Sequence, residues 1–269
     1  MDDSAPLSFI DAVLLGFIEG ITEFLPISST GHLIIAGELL GFTGETANTF
    51  DVVIQLGAIL AVCWHFRERL LGVVRGLPNE RNARQFVINL LVALAPAIVF
   101  GFLAHDFIKE KLFQPIVVAA VLVIGGIAIL IVERMPLHPR KFDCDELTTA
   151  DALKIGLAQV LAMVPGTSRA GATIIGGMLF GLSRQTATEF SFFLAIPTMF
   201  AATGYDLLKA YDSLNARDIG IFAVGFVTAF FGALLAVNGL LHFIRHHDFK
   251  AFAWYRIIFG LGMLAYLLR

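Results

Sequence analysis

Charge is what this sequence has least of. Only 15% of its 269 residues are Asp, Glu, Lys or Arg, while 57% are hydrophobic, and the mean hydropathy is +0.80. A soluble domain of this length needs far more charge to cover its surface. Cysteine is scarce as well: Cys63 sits in an apolar run and Cys144 in a polar stretch, a placement that suggests neither a disulfide framework nor a metal site. The N-terminus, MDDSAPLSF, is acidic and has neither a positive n-region nor a small-residue cleavage site, so the first apolar segment is expected to stay in the mature protein. The net charge of −3 says little about partners, and nucleic acid is not expected to be one. What the chain does have is long apolar runs that recur from end to end. These predict an all-α, polytopic membrane protein.

Six segments are long enough to cross a bilayer, roughly 48–64, 87–104, 115–133, 189–208, 218–243 and 251–268. Two more, about 9–41 and 151–183, are apolar but interrupted, the first at Pro26-Ile27-Ser28-Ser29-Thr30-Gly31 and the second at Pro165-Gly166-Thr167-Ser168-Arg169. Each half of these is too short to span, so each segment is expected to be a re-entrant helix pair. Arginine and lysine set the orientation. Arg67, Arg69, Arg75, Arg81 and Arg84 fall in the loop 65–86, Arg134, Arg140 and Lys141 in 134–150, and Arg245 and Lys250 in 244–250. The opposite loops offer only Lys109, Lys111, Lys209 and Arg217. The first group is therefore expected to be cytoplasmic. The first helix pair then enters from outside and the second from the cytoplasm.

The two interrupted segments resemble each other. LLGFIEGITEFLPISSTGHLIIAGELLGF aligns with LKIGLAQVLAMVPGTSRAGATIIGGMLFGL, pairing Pro26 with Pro165, Ser28 with Thr167, Ser29 with Ser168 and Gly37 with Gly176. After one inserted residue Gly41 meets Gly181 and Phe50 meets Phe190. With opposite sides of entrance, this predicts an inverted-topology repeat in one membrane domain, about 9–133 and 151–268. In such folds the broken helices meet near the midplane and build the site there. Irregular backbone at that depth must face protein or a cavity.

The first interruption, EGITEFLPISSTGH, carries Glu19 and Glu23 one helical turn apart. Two carboxylates so close repel unless a proton or cation lies between them. A hard cation such as Mg²⁺ or Ca²⁺ would resolve this, and the plain alternative is a pair of solvated acids at a helix end. Ser28, Ser29 and Thr30 suit the N-cap of the following helix, yet three hydroxyls with His32 beside them exceed what a cap needs. Ser29, His32 or water could supply the nucleophile.

The second interruption, PGTSRAGAT, is richer in donors. Thr167 and Ser168 can cap a helix whose N-terminus favours an anion. Arg169 adds a fork of donors suited to phosphate, and its alternative use is an ion pair with Glu19 or Glu23. Together the two tips fit phosphoryl transfer or hydrolysis of a phosphate ester. The competing reading is a transporter or lipid flippase, because inverted repeats with broken helices also build those.

These motifs, with ATEFSFFLAIPTM further on, resemble the undecaprenyl-diphosphate phosphatase family, also called the bacitracin-resistance family, over almost the whole chain. The resemblance implies hydrolysis of undecaprenyl diphosphate to the monophosphate carrier of cell-wall synthesis. It also implies an inner-membrane location with the site open to the outer face. It puts the acidic pair on Glu19 and Glu23, the catalytic hydroxyl and histidine on Ser29 and His32, and phosphate binding on Ser168, Arg169 and Thr173. Ser28, Thr30 and Thr167 are further phosphate-binding candidates from the tips themselves. Members often have serine after that arginine, where this chain has Ala170. The expected partners are a polyprenyl diphosphate and membrane lipids, with a homodimer as a further expectation.

Overall fold

Two capping boxes start the two interrupted segments. The Ser8 hydroxyl accepts from the Asp11 amide while the Asp11 carboxylate accepts from the Ser8 amide, which starts α1 (Phe9–Glu23). Thr148 and Asp151 do the same for α7 (Thr149–Val160), which ends in a 3-10 turn, Leu161–Met163. Each box satisfies donors that a helix start leaves open. In this computed structural model residues 7–107, 111–209 and 219–269 are described. The expected outer-loop cations Lys109 and Arg217 lie outside them, as does position 218.

Between and after the capped helices run α2 (Ser29–Leu40), α3 (Glu45–His65), α4 (Arg67–Gly76), α5 (Arg81–Phe107), α6 (Pro115–Arg134), α8 (Arg169–Leu179), α9 (Arg184–Lys209), α10 (Ile219–Phe243) and α11 (Lys250–Leu267). The segment 9–41 is thus a helix pair broken at Phe24–Ser28, and 151–183 a pair broken near Val164–Ser168; these overlap the breaks expected at 26–31 and 165–169, although Ser29, Thr30 and Gly31 open α2 and Arg169 opens α8. Two expectations change. The loop 65–86 contains α4, whose apolar residues pack back on the core through the buried Val73. Only α3, α5, α6, α9 and α10, among the described residues, are long and apolar enough to cross a membrane on composition. The sixth expected span forms α11, but Lys250, Tyr255 and Arg256 dilute its apolar character.

Packing exchanges partners between the two halves of the chain. α1 lies along α10, α7 lies along α5, and α6 lies along α11. The crossings are close because the contact residues are small, as in helix pairs within membranes. A Cβ on Gly16 of α1 would lie 2.4 Å from the Gly225 carbonyl oxygen of α10, and one on Gly156 of α7 would lie 2.3 Å from the Ala93 oxygen of α5. α1 begins beside the start of α10, where Phe9 reaches Gly220. α7 begins instead beside the start of α5, where Gln85 donates to the Thr149 hydroxyl and Asn89 to the Leu147 carbonyl.

The three basic loops lie together. Arg69 pairs with Asp145, joining 65–86 to 134–150. Glu133, its side chain fully buried, accepts from Arg184 and from the Phe249 amide at 2.9 Å, which ties in 244–250. Cys63 and Cys144 are free thiols. Burial raises the Cys144 thiol pKa well above its ordinary value, so it stays protonated and inert.

Candidate active site

The two interruptions meet. Ser28, the residue before α2, has φ 71°, and Ser168, the residue before α8, has φ 72°. Among the described residues they alone combine a side chain with a positive φ. This matching geometry pairs Ser28 with Ser168 and Ser29 with Arg169, one residue away from the pairing that the aligned prolines suggest. Each such conformation costs about 1–3 kcal/mol and persists only where its surroundings over-determine it. Ser168 caps α8, its Oγ accepting from the Gly171 amide at 3.0 Å, and it lies 3.4 Å from the Leu25 carbonyl of the first tip. Ser28 makes no such cap, and Thr167 does not either.

Between the tips lies a cavity of about 180 Å³. The first tip lines it with Glu23, Ser28, Ser29 and Thr30, the second with Pro165, Gly166, Ser168 and Arg169, and α3 adds Gln55. Three of these side chains are linked in series. Ser29 Oγ donates to Glu23 Oε2 at 2.6 Å, and Arg169 Nη2 donates to Glu23 Oε1 at 2.9 Å. Arg169 is held further by the Ser191 carbonyl at 3.2 Å and by the face of Phe24. Its Nε, buried, has no partner. The alternative use of Arg169 foreseen in the sequence, an ion pair with Glu23, is therefore formed in the protein. It does not leave the hydroxyl idle, because the same carboxylate accepts from Ser29.

The other expected residues stand around this centre. Glu19 is buried, and neither of its carboxylate oxygens has a hydrogen-bond partner. Glu23 follows it one helical turn along α1. A buried acid left so is costly unless a proton or cation joins it, and the donor set here, carboxylate and hydroxyl oxygens, is the kind a hard cation takes. Among the described residues no group of three or more His, Cys, Asp and Glu is assembled.

His32 does not line the cavity. Its Nδ1 lies 2.7 Å from the Ser28 carbonyl, which can only accept, so Nδ1 donates there, and its Nε2 lies 2.7 Å from the Tyr255 hydroxyl. The ring stacks on Phe259 with centroids 4.2 Å apart. Thr173 is also turned away from the cavity. Its hydroxyl bonds back to the Arg169 carbonyl at 2.9 Å and meets Ser191 Oγ at 2.6 Å. Ala170 is fully buried.

Sequence reasoning did not single out Gln55, which lines the cavity, or Arg256, which donates to the Pro26 and Thr167 carbonyls of the tips. Both are polar residues inside expected spans, and for Arg256 the signal was available, because an ionisable group at membrane depth marks a working site by default.

Comparison with known proteins gives one consistent result. The family model described as Bacitracin resistance protein BacA matches residues 12–262. An undecaprenyl-diphosphatase of Aromatoleum aromaticum is 57% identical over 257 residues, covering 96% of this chain and 94% of the relative. One from Ectopseudomonas mendocina is 58% identical over 254 residues, covering 94% and 92%. One from Methylobacillus flagellatus is 54% identical over 265 residues, covering 97% and 98%.

Proposed function

We propose a reading that starts from one premise: the chain belongs to the bacitracin resistance protein BacA family. It is a membrane phosphatase that hydrolyses undecaprenyl diphosphate to undecaprenyl phosphate and inorganic phosphate, which recycles the lipid carrier of cell-wall synthesis. The observation that carries the mechanism is the series Ser29–Glu23–Arg169 across the two tips. A nucleophile within hydrogen-bond reach of a base, with the base oriented by a third group, is the arrangement covalent catalysis needs.

In this reading the terminal phosphate occupies the cavity. Arg169 and the Ser28, Thr30 and Ser168 hydroxyls hold its oxygens, together with the N-terminal amides of α8. Glu23 takes the Ser29 proton as Ser29 Oγ bonds to the terminal phosphorus. The bond from that phosphorus to the bridging oxygen breaks, and undecaprenyl phosphate leaves with the electron pair. Water then cleaves the phosphoserine, and the proton on Glu23 returns to Ser29. The charge of Arg169 stabilises the phosphoryl oxygens in the transition state, in a site where water does not screen it. His32, with both nitrogens engaged away from the cavity, acts on the Ser28 carbonyl rather than on phosphorus. Thr167 contributes its backbone and Thr173 braces the Arg169 helix turn.

Glu19 and Glu23 are the residues that would hold a divalent cation, Mg²⁺ or Ca²⁺. Such an ion would supply charge for the diphosphate oxygens.

Charge and packing support the following placement in the membrane. The basic loops share one side, and arginine excess makes that side cytoplasmic, in a bacterial inner membrane. α11 is the sixth span, its apolar faces completed by α6. The pairs α1–α2 and α7–α8 are re-entrant, and the exchanged packing of α1 on α10 and α7 on α5 supports an inverted repeat of 9–133 and 151–268. The cavity then opens to the outer face for a lipid-borne head group. The site is complete within one chain, so the expected homodimer is not needed for it.

A transporter or flippase is not favoured, because a carrier has no use for a hydroxyl held by a base. Phosphate release from undecaprenyl diphosphate in detergent, where transport has no meaning, is the deciding experiment. Absence of release by folded, cation-supplemented protein would overturn the mechanism.

A further inference from the structure

Arg256 of α11 is among the largest fully buried side chains in the protein, at 1% exposure. None of the ion pairs among the described residues includes it. Every hydrogen bond it makes goes to a main-chain carbonyl. Nη1 donates to Thr167 at 2.8 Å and to Pro26 at 3.2 Å, Nη2 to Gly166 at 2.9 Å and to Val121 at 3.4 Å, and Nε to Leu122 at 3.3 Å. One guanidinium thus joins the first tip, the second tip and α6.

The site is cut to receive it. A Cβ on Gly125 of α6 would stand 2.1 Å from Arg256 Nη2 and 2.7 Å from its central carbon. The carbonyls it holds lie just before the two serines with positive φ, Ser28 and Ser168. Those serines in turn precede Ser29 and Arg169, and Gly166 itself lines the cavity.

We propose that Arg256 is the positioning residue of the site: its guanidinium clamps the two loop tips to each other and to α6, and so sets the distance between Ser29 and Arg169. A planar fork with five donors can hold several carbonyls of fixed direction at once, and a lysine ammonium cannot. The carbonyl dipoles solvate the cation in place of water. Among the described residues the other side-chain hydrogen bonds between the tips are Arg169 to Glu23 and Ser168 to the Leu25 carbonyl, and neither reaches α6. This inference rests on the phosphatase reading for its kinetic arm and on geometry alone for its structural arm.

The test uses Arg256→Lys, Arg256→Met and Gly125→Ala in the full-length protein in detergent. Arg256→Lys keeps the charge and loses the fork. Gly125→Ala keeps the arginine and displaces it. Two quantities are read on the monodisperse fraction: kcat and KM for phosphate release, in protein that keeps Thr30 and Ala162, and, in separate samples without Cys63 and Cys144, the distance distribution between spin labels at those two positions. Displacement of reacting groups by about 1 Å should lower kcat by about 100-fold, with KM within about three-fold of wild type. The distance distribution should broaden in both Arg256→Lys and Gly125→Ala. Normal kcat per folded molecule in those two variants overturns the proposal, even where Arg256→Met fails to fold. A fall in kcat with an unchanged distribution overturns it too, since that points to charge rather than position. If the wild type releases no phosphate, the phosphatase mechanism fails and the distance arm alone decides the clamp.

Discussion

Glu23 accepts from Ser29 with one carboxylate oxygen and from Arg169 with the other, so a single acid couples a hydroxyl on the first tip to a cation on the second. Neither contact alone would distinguish an enzyme from a well-satisfied membrane core. Coupled across a cavity, they leave the hydroxyl with a base and the base with an orienting charge. His32 spends both its nitrogens elsewhere, on the Ser28 carbonyl and the Tyr255 hydroxyl, and in the proposed mechanism the attack therefore falls to Ser29.

Ser29→Ala removes the attacking oxygen while keeping the fold, so turnover is expected to fall by about 10³-fold or more with KM little changed. Glu23→Gln should lose a similar factor, because the amide takes no proton from Ser29. Single-turnover assays with labelled terminal phosphate check both. A Ser29→Ala protein with near-normal kcat would transfer the attack to water.

Arg169→Ala is expected to cut turnover by about 10²- to 10³-fold through the loss of charge-assisted bonds to phosphate. It also strands Glu23 in a buried position, so monodisperse yield should be measured beside the rate. Arg169→Lys should recover yield but little rate, since a point charge does not replace the fork. Recovery of full rate by lysine would reduce Arg169 to a counter-ion.

Glu19 sets the expected response to metal. Chelation should abolish phosphate release, and Glu19→Gln should raise the concentration of Mg²⁺ or Ca²⁺ needed for half-maximal rate. The same variant should fold at least as well as wild type, because it removes a buried acid whose oxygens have no partners. Full activity in excess chelator would remove the cation from the mechanism.

Gly16→Ala and Gly156→Ala should each destabilise the protein by about 1–3 kcal/mol, because the added methyl meets a backbone oxygen that cannot yield as a side chain would. Thermal unfolding in detergent measures this. An unchanged Tm in both would mean that the crossings are looser than their geometry indicates.

Much of this was legible in the residues. The prolines at 26 and 165 marked both breaks, because a helix cannot run through them without losing a backbone bond. Ser29, Glu23 and Arg169 could be grouped from their chemistry alone. The identical prolines align Ser28 with Thr167, whereas a shared positive φ, a property that no side chain displays, matches Ser28 with Ser168. Partners contributed by α11 were out of reach as well. Nothing near His32 in sequence announces Tyr255, which is 223 residues away. Arg256 could have been found. It lies within an expected span, and the reasoning that singled out Glu19 and Glu23 applies to it without change.

The exchanged packing of the two halves has a consequence for how the molecule is made. α1 is synthesised first, and its main partner, α10, is synthesised almost last. At about 5–20 residues per second, roughly 10–40 s separate Gly16 from Gly225 on the ribosome. Through most of that interval the acids of α1 lack Arg169, and to its end they lack α10, so α1 is expected to wait at the membrane surface or beside the insertion machinery. Chains truncated before Ile219 are therefore expected to leave α1 open to protease, while the full chain protects it. On this expectation the first helix pair inserts late, and the cavity between the tips forms only once α8 and α10 have both been made.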